Sequence, residues 1–226
     1  MSLFDGDGSF LYELSPADRG MLLGLGSPRS YRPREPILHE HDRTSFVVVV
    51  RCGWSIVSVS TKRGTPLILA LRGPGDLVGD MAAVDGRPRS ASVVALGAMD
   101  GIVIQGDRFR SFLAARPKAN SLVMQQLTGR LRNSDSERRS LASLTVLERL
   151  AARLVELAER AGTRQGDAVV IDLPLPQHDL AAAVGSTREA VAKALRMLRE
   201  QGVVRTGPRR LTVADLDVLS ALAGGG

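Results

Sequence analysis

Two stretches of this chain hold side chains whose types and spacing suit chemistry. In the first, Gly79-Asp80-Met81-Ala82 is followed closely by Arg89-Ser90-Ala91-Ser92. A glycine, free backbone amides, a carboxylate, an arginine and a hydroxyl so close together suit a phosphorylated sugar: the amides and Arg89 for the phosphate, Asp80 for a ribose hydroxyl. A plain polar hairpin turn is the alternative reading of the same residues. In the second stretch, Asp179 to Val191, small residues stand where two helices would cross closely and Gly185 stands at the turn between them. That is helix-turn-helix spacing. Ser186 followed by Glu189 reads as a capping box opening the second helix. Thr187, Arg188 and Lys193 then fall on an outward face, and Val191, Leu195 and Leu198 point inward. Arginine near the start of such a helix presents the paired donors that read guanine in a major groove. Arg205, Arg209 and Arg210, in a hairpin that follows, suit phosphates. A solvated helical hairpin is the plainer alternative.

The elements that must position these groups are legible in outline. Thr44 to Arg51, Trp54 to Thr61, Pro66 to Leu71, Ser90 to Leu96 and Gly101 to Gln105 are Val/Ile-rich runs bounded by Gly, Pro or Asp, and read as short strands of a sandwich or barrel. Arg108 to Ala115 reads as a helix ending before Pro117. A longer helix follows, in which Met124, Leu127, Leu131, Ser134, Arg138 and Leu141 recur at gaps of three and four, the seam of a helix packing lengthwise on a partner. Leu147, Leu150, Leu154 and Leu157 form another stripe that stops near Gly162, and Gly162 to Asp167 reads as a polar turn. A short strand from Val169, helices from Gln177 to Val184 and Ser186 to Gln201, and a Val203 to Val213 hairpin complete a second, smaller domain.

The chain has 226 residues, 44% hydrophobic and 24% charged, enough for two modest domains each with its own core. Thirty Lys and Arg against 24 Asp and Glu leave a formal charge of +6. From Ser186 to Arg210 seven basic residues face only Glu189 and Glu200, so much of the excess sits on the helix-turn-helix, where an acidic partner would bind. A single cysteine, Cys52, rules out an internal disulfide, a Cys-rich zinc site or an iron–sulfur cluster. No apolar run approaches the roughly 18 residues of a membrane span, and Met1 to Tyr12 lacks a secretory pattern, so a cytoplasmic protein is expected.

Both motifs, in this order, resemble the cyclic-AMP receptor and fumarate–nitrate regulator (Crp/Fnr) family, and the resemblance covers nearly the whole chain. Its phosphate-binding cassette, Gly-Glu-x-Ala/Ser followed by Arg-Ser/Thr-Ala, is matched by Gly79, Ala82, Arg89, Ser90 and Ala91. Its recognition motif, Val-Gly-x-Ser/Thr-Arg-Glu-x-Val, is matched by Val184 to Val191. The resemblance implies an α+β chain: a cyclic-nucleotide-binding-like β jelly roll over 1–117, a long dimerisation helix over 118–145 and a winged helix-turn-helix over 146–226. It implies a ligand site at Gly79, Asp80, Met81, Ala82, Arg89, Ser90 and Ala91, joined by Arg130, Ser134 and Asp135 of the long helix, with cyclic AMP or cyclic GMP as effector. It implies DNA contacts at Gln177, Ser186, Thr187, Arg188, Glu189, Lys193, Arg209 and Arg210, a homodimer, and RNA polymerase as a further partner. The chain departs from the family at Asp80, where nucleotide binders carry the longer glutamate, and at Asp135, where they carry a second hydroxyl; the effector's identity stays open.

Two rival readings remain. A regulatory subunit would keep the first domain and leave the helix-turn-helix idle. A cupin-type metalloenzyme would start its metal site at His39 and His41, but needs a third histidine on a later strand, and the remaining one, His178, lies in the helix-turn-helix part. Nothing resembles a nucleophile with its base, so no catalysis is expected.

Overall fold

The computed structural model describes residues 3–4, 9–61, 66–207 and 210–224. The chain divides into two compact units, one of Phe4–Ser60 with Leu69–Arg132, the other built mainly on Asn133–Gly226.

The first unit opens with helices α1 (Phe10–Glu13) and α2 (Pro16–Gly24) and continues through strands β1 (Ser27–Tyr31), β2 (Pro36–Leu38), β3 (Val47–Cys52), β4 (Ser55–Ser60), β5 (Pro66–Arg72) and β6 (Leu77–Val78). Helix α3 (Asp80–Asp85), strands β7 (Ser92–Ala95) and β8 (Met99–Ile104), helix α4 (Gly106–Ala115) and the long helix α5 (Pro117–Ser143) follow. The strands form two four-stranded sheets, ordered β1-β8-β3-β6 and β2-β7-β4-β5. Strand β3 shows why. Val47 to Val50 are all fully buried, a continuous apolar run rather than an alternating one, because both faces of this central strand are covered. Val47 and Val49 join Phe10, Leu22, Phe109 and Phe112, whereas Val48 and Val50 join Tyr31, Leu38, Val78 and Val93.

Helix α5 begins at Pro117, which can start a helix where it would break the interior of one. In the second unit α6 (Val146–Ala161) opens on a capping box: the Thr145 hydroxyl accepts from the Glu148 amide, and the Glu148 carboxylate accepts from the Thr145 amide at 2.6 Å. Strands β9 (Gly162–Gln165) and β10 (Ala168–Ile171), helices α7 (Gln177–Val184) and α8 (Arg188–Glu200), strands β11 (Val204–Gly207) and β12 (Arg210–Val213), and helix α9 (Leu216–Gly224) complete it. The sheet order is β11-β12-β10-β9, and α6 packs against α7, α8 and α9.

One expectation and one alternative reading need correction. Gly162 to Gln165 is not a simple polar turn but strand β9, because Thr163 and Arg164 pair with Val170 and Val169 of β10. The segment after Gly79 is not an open polar turn either, since Asp80 to Asp85 winds into α3, closed at Gly86 in the left-handed region.

Candidate effector cassette and nucleic-acid interface

Gly79 leaves β6 at φ +82°, a conformation glycine adopts without penalty, and is the N-cap of α3. A Cβ there would stand 2.6 Å from Nη1 of Arg89, so the glycine also makes room for that side chain. Arg89 is 2% exposed. Its Nε donates to Thr44 Oγ1 at 3.0 Å, and Nη1 and Nη2 donate to the carbonyls of Gly79 and Phe46, each at 2.7 Å. The guanidinium also lies over the Phe46 ring, 5.0 Å from its centroid. Burial pushes its pKa down from the usual value, and the fields of Asp42 and Asp80 oppose that shift. Three bonds to protein acceptors are what keeps a buried cation tolerable here.

Asp80 is buried too, and its carboxylate pairs with Nη1 of Arg130 on α5 at 3.0 Å. Around this pair Ala82 and Ala91 are buried and Met81 is exposed; the exposed Ser90 hydroxyl reaches the Met81 sulfur at 3.7 Å. The structure therefore gathers Gly79, Asp80, Met81, Ala82, Arg89, Ser90, Ala91 and Arg130. Ser134 and Asp135 come four and five residues after Arg130 on α5; both are exposed, and Asp135 pairs with Arg138 at 3.4 Å. Sequence reasoning missed Thr44 and Phe46 as acceptors for Arg89, and Arg110, whose Nη1 donates to the Ala83 carbonyl of α3 at 2.9 Å. No local motif signals these, because each lies far along the chain from its partner.

In the second unit, α7 ends on Gly185 at φ +63°, and the chain turns directly into α8. Here the capping expectation is corrected. The N-cap of α8 is Thr187, whose hydroxyl accepts from the Ala190 amide at 3.2 Å, so the helix starts at Arg188 and Ser186 lies in the turn. The Glu189 carboxyl is held below its usual range by its own backbone amide, the Thr187 hydroxyl and the Arg188 charge. Val191, Ala194, Leu195 and Leu198 are buried, while Arg188, Glu189, Lys193 and Arg196 are exposed. Helix α8 thus turns one apolar face inward and one mainly basic face outward. Gln177, the first residue of α7, is exposed, as are Arg205 and Arg210 on the β11–β12 hairpin; Arg209 lies outside the described residues.

The long-helix seam is also uncovered, except at Leu127, which packs half-buried against the core of the first unit. Met124, Leu131 and Leu141 are 54%, 64% and 44% exposed, and Ser134 and Arg138 are exposed with them. Large apolar side chains repeated along one helical seam and left open mark an association surface. His39 and His41 are exposed, and among the described residues no group of three or more His, Cys, Asp or Glu could hold a metal ion. Among those residues no helix is long and apolar enough to cross a membrane.

Known proteins show the same layout. Residues 28–116 match the family model of the cyclic nucleotide-binding domain, and residues 148–222 that of the Crp-like helix-turn-helix domain. A cyclic AMP receptor protein of Thermus thermophilus is 30% identical over 212 residues, covering 94% of this chain and 95% of its own. A CRP-like cAMP-activated global transcriptional regulator of Mycobacterium tuberculosis is 30% identical over 160 residues, 71% of each chain. Among solved structures, a transcriptional regulator of the CRP/FNR family from Thermus thermophilus superposes with a TM-score of 0.73 at 26% identity, over 88% of this chain and 99% of that one.

Proposed function

Because the chain belongs to the Crp/Fnr family of transcription regulators, which are not enzymes, we propose that it works as a homodimer that reads duplex DNA through α8 under the control of a cyclic nucleotide. The observation that carries this reading is the outward face of α8. Arg188 and Lys193 stand free of the apolar face that anchors the helix, as a major-groove reader requires. In this account Arg188, Glu189 and Lys193 meet base edges. Gln177, Ser186, Thr187, Arg209 and Arg210 meet phosphates, which set register without reading sequence. The open seam of α5 takes a second copy. Paired recognition helices then enter successive major grooves roughly 34 to 36 Å apart.

The cassette of Gly79 to Ala82 with Arg89 to Ala91 takes the effector. Arg89 spends three of its five N–H groups on Thr44, Gly79 and Phe46, so the phosphate takes the remaining N–H of each terminal nitrogen together with backbone amides. The carboxylate of Asp80, oriented by Arg130, accepts from a ribose hydroxyl. Support for a nucleotide as opposed to a neutral ligand is the buried positive charge at the floor of the cassette. The relatives named for activation by cyclic AMP make that nucleotide the first to try. The domains run over 1–117, 118–145 and 146–226, the protein works in the cytoplasm, and RNA polymerase is its partner at promoters.

Calorimetry with cyclic AMP and with cyclic GMP tests the cassette: one saturable isotherm, abolished by Arg89→Ala, is expected, and two flat titrations refute a cyclic nucleotide. Duplex binding whose log affinity falls linearly with log salt tests the interface, and affinity indifferent to salt refutes it.

A further inference from the structure

Helix α6 carries two arginines, Arg149 and Arg153, that do not behave as surface cations. Both are buried, Arg153 to 1% exposure. Four residues apart, they lie on one face of the helix. Their Nε atoms donate to the last carbonyls of α7: Arg149 to Val184 at 3.0 Å and Arg153 to Ala183 at 3.1 Å. A helix leaves its final carbonyls without intrahelical donors, and its C-terminal end favours a cation, so the pair caps α7 immediately before the turn into α8. Arg153 does more. Its Nη2 donates to Glu137 of α5 at 2.7 Å and its Nη1 to Glu156 at 3.3 Å, while the other Glu156 oxygen accepts from the Leu3 amide at 2.6 Å. Arg149 Nη1 reaches the Leu144 carbonyl between α5 and α6 at 2.6 Å. One planar guanidinium therefore ties three helices together, the end of α5, the middle of α6 and the end of α7, with a geometry its rigid fork fixes. A second contact runs the same way. Four residues beyond Glu137, a Leu141 methyl stands 3.0 Å from where a Cβ on Gly185 would be, so α5 also abuts the turn itself.

Apolar packing of α6 on α7 and α8 would hold these helices together without any buried charge, and a cation taken out of water against a carboxylate that stays 29% exposed is a poor way to add stability. What it adds is a defined angle. We propose that Glu137 and Arg153 are positioning residues for DNA recognition: their ion pair, buried at Arg153 and half-buried at Glu137, locks the α7–α8 turn to the end of the long helix, so that α8 is presented at one angle and follows any rotation of α5. Glu137 stands three residues after Ser134, within a turn of the segment assigned above to the effector. The inference rests on the proposed function for its consequence in DNA reading, and on the geometry alone for the lock.

Two measurements on the full chain test it. The first compares wild type with Glu137→Gln, Arg153→Met and the double variant, well below their unfolding temperatures. The probes are a duplex selected from a random library by wild type and a random-sequence duplex of the same length. Glu137→Gln should lower the ratio of selected to random affinity by roughly 5-fold or more. Affinity for the random duplex should hold, and the double variant should lose no more than Arg153→Met alone. A merely structural role would lower the unfolding midpoint and leave the ratio where it was, which overturns the proposal. The second needs no DNA. With Cys52→Ser, spin labels at Arg139→Cys and Glu200→Cys, diluted with unlabelled chain, report the distance between α5 and α8. A narrow distribution in wild type that broadens in Glu137→Gln supports the lock, and equal widths overturn it. If wild type fails to discriminate any duplex, the proposed function falls, and the two widths alone decide the lock.

Discussion

Replacing Arg89 by Met tests the cassette as a physical object before any ligand is added. Methionine keeps most of the apolar stem and removes the guanidinium, so the Gly79 and Phe46 carbonyls and the Thr44 hydroxyl lose their donors. A hydrogen bond from a charged donor contributes about 1.5 to 3 kcal/mol; the exposed Thr44 hydroxyl can turn to water, so the loss falls on the half-buried Gly79 and Phe46 carbonyls and comes to roughly 3 to 6 kcal/mol. Against this, the variant no longer keeps a cation out of water, a relief of several kcal/mol. A net destabilisation of about 1 to 2 kcal/mol is expected. Trp54, the chain's single tryptophan, lies in the same unit edge-on to Phe4 with centroids 5.6 Å apart, so its emission reports the unfolding of this unit. With a urea slope of about 2 kcal/mol per M, the midpoint should fall by roughly 0.5 to 1 M. A fall of less than about 0.3 M would refute the reasoning, because Arg89 would then be a ligand-ready side chain that the fold does not use.

Arg188→Ala should cost about 1 to 3 kcal/mol of specific DNA binding and relax sequence preference at one position, read by competition among single-base variants of the site; unchanged discrimination removes Arg188 from the reading face. Leu131→Glu puts a charge on a side chain that is 64% exposed, so sedimentation should show monomers while each chain still melts cooperatively; an intact dimer would move the interface elsewhere. Gly185→Ala forces a left-handed residue and presses on Leu141, for about 1 to 2 kcal/mol of stability in thermal or urea melts, and no loss would mean the turn relaxes freely. Glu148 is held below its ordinary 4.5 by the Thr145 hydroxyl and then by the Thr145 amide. A lowered folded pKa means its contribution is complete above the ordinary value and disappears as pH falls through the folded one. The difference in melting temperature between wild type and Glu148→Gln should therefore shrink from pH 7 to pH 3, and a constant difference contradicts the cap.

Local pattern and long-range pairing differ in how well the chain displays them. The four valines of β3 were legible as a strand from their β-branched composition, and the seam of α5 from its spacing of three and four. Ser186 and Glu189 have the spacing of a capping box, yet the cap falls one residue later; Thr187 offers the same hydroxyl, and backbone geometry after Gly185 decides between them. Strand β9 was illegible because Gly162 to Gln165 is polar and becomes a strand by pairing with β10. Helix α2 had a visible start in Ser15-Pro16, with the Ser15 hydroxyl accepting from the Asp18 amide, but it precedes every motif that drew the reading. In the cassette, the residue types were plain and their engagements were not. Arg89 meets Thr44 and Phe46 across more than forty residues, and Asp80 meets Arg130 across fifty, distances at which no spacing rule operates. The buried role of Arg153 was hidden for a related reason: a charged residue in an amphipathic helix looks solvated until its partners arrive from α5 and α7.

Selection from a random duplex library with the purified 226-residue chain measures the central claim directly. The account predicts enrichment of one two-fold symmetric site whose half-site centres lie about 10 to 10.5 base pairs apart, or a multiple of that spacing, bound by two protomers. Recovery of no enriched sequence, with and without cyclic nucleotide, or of an asymmetric site bound by one protomer, would contradict it.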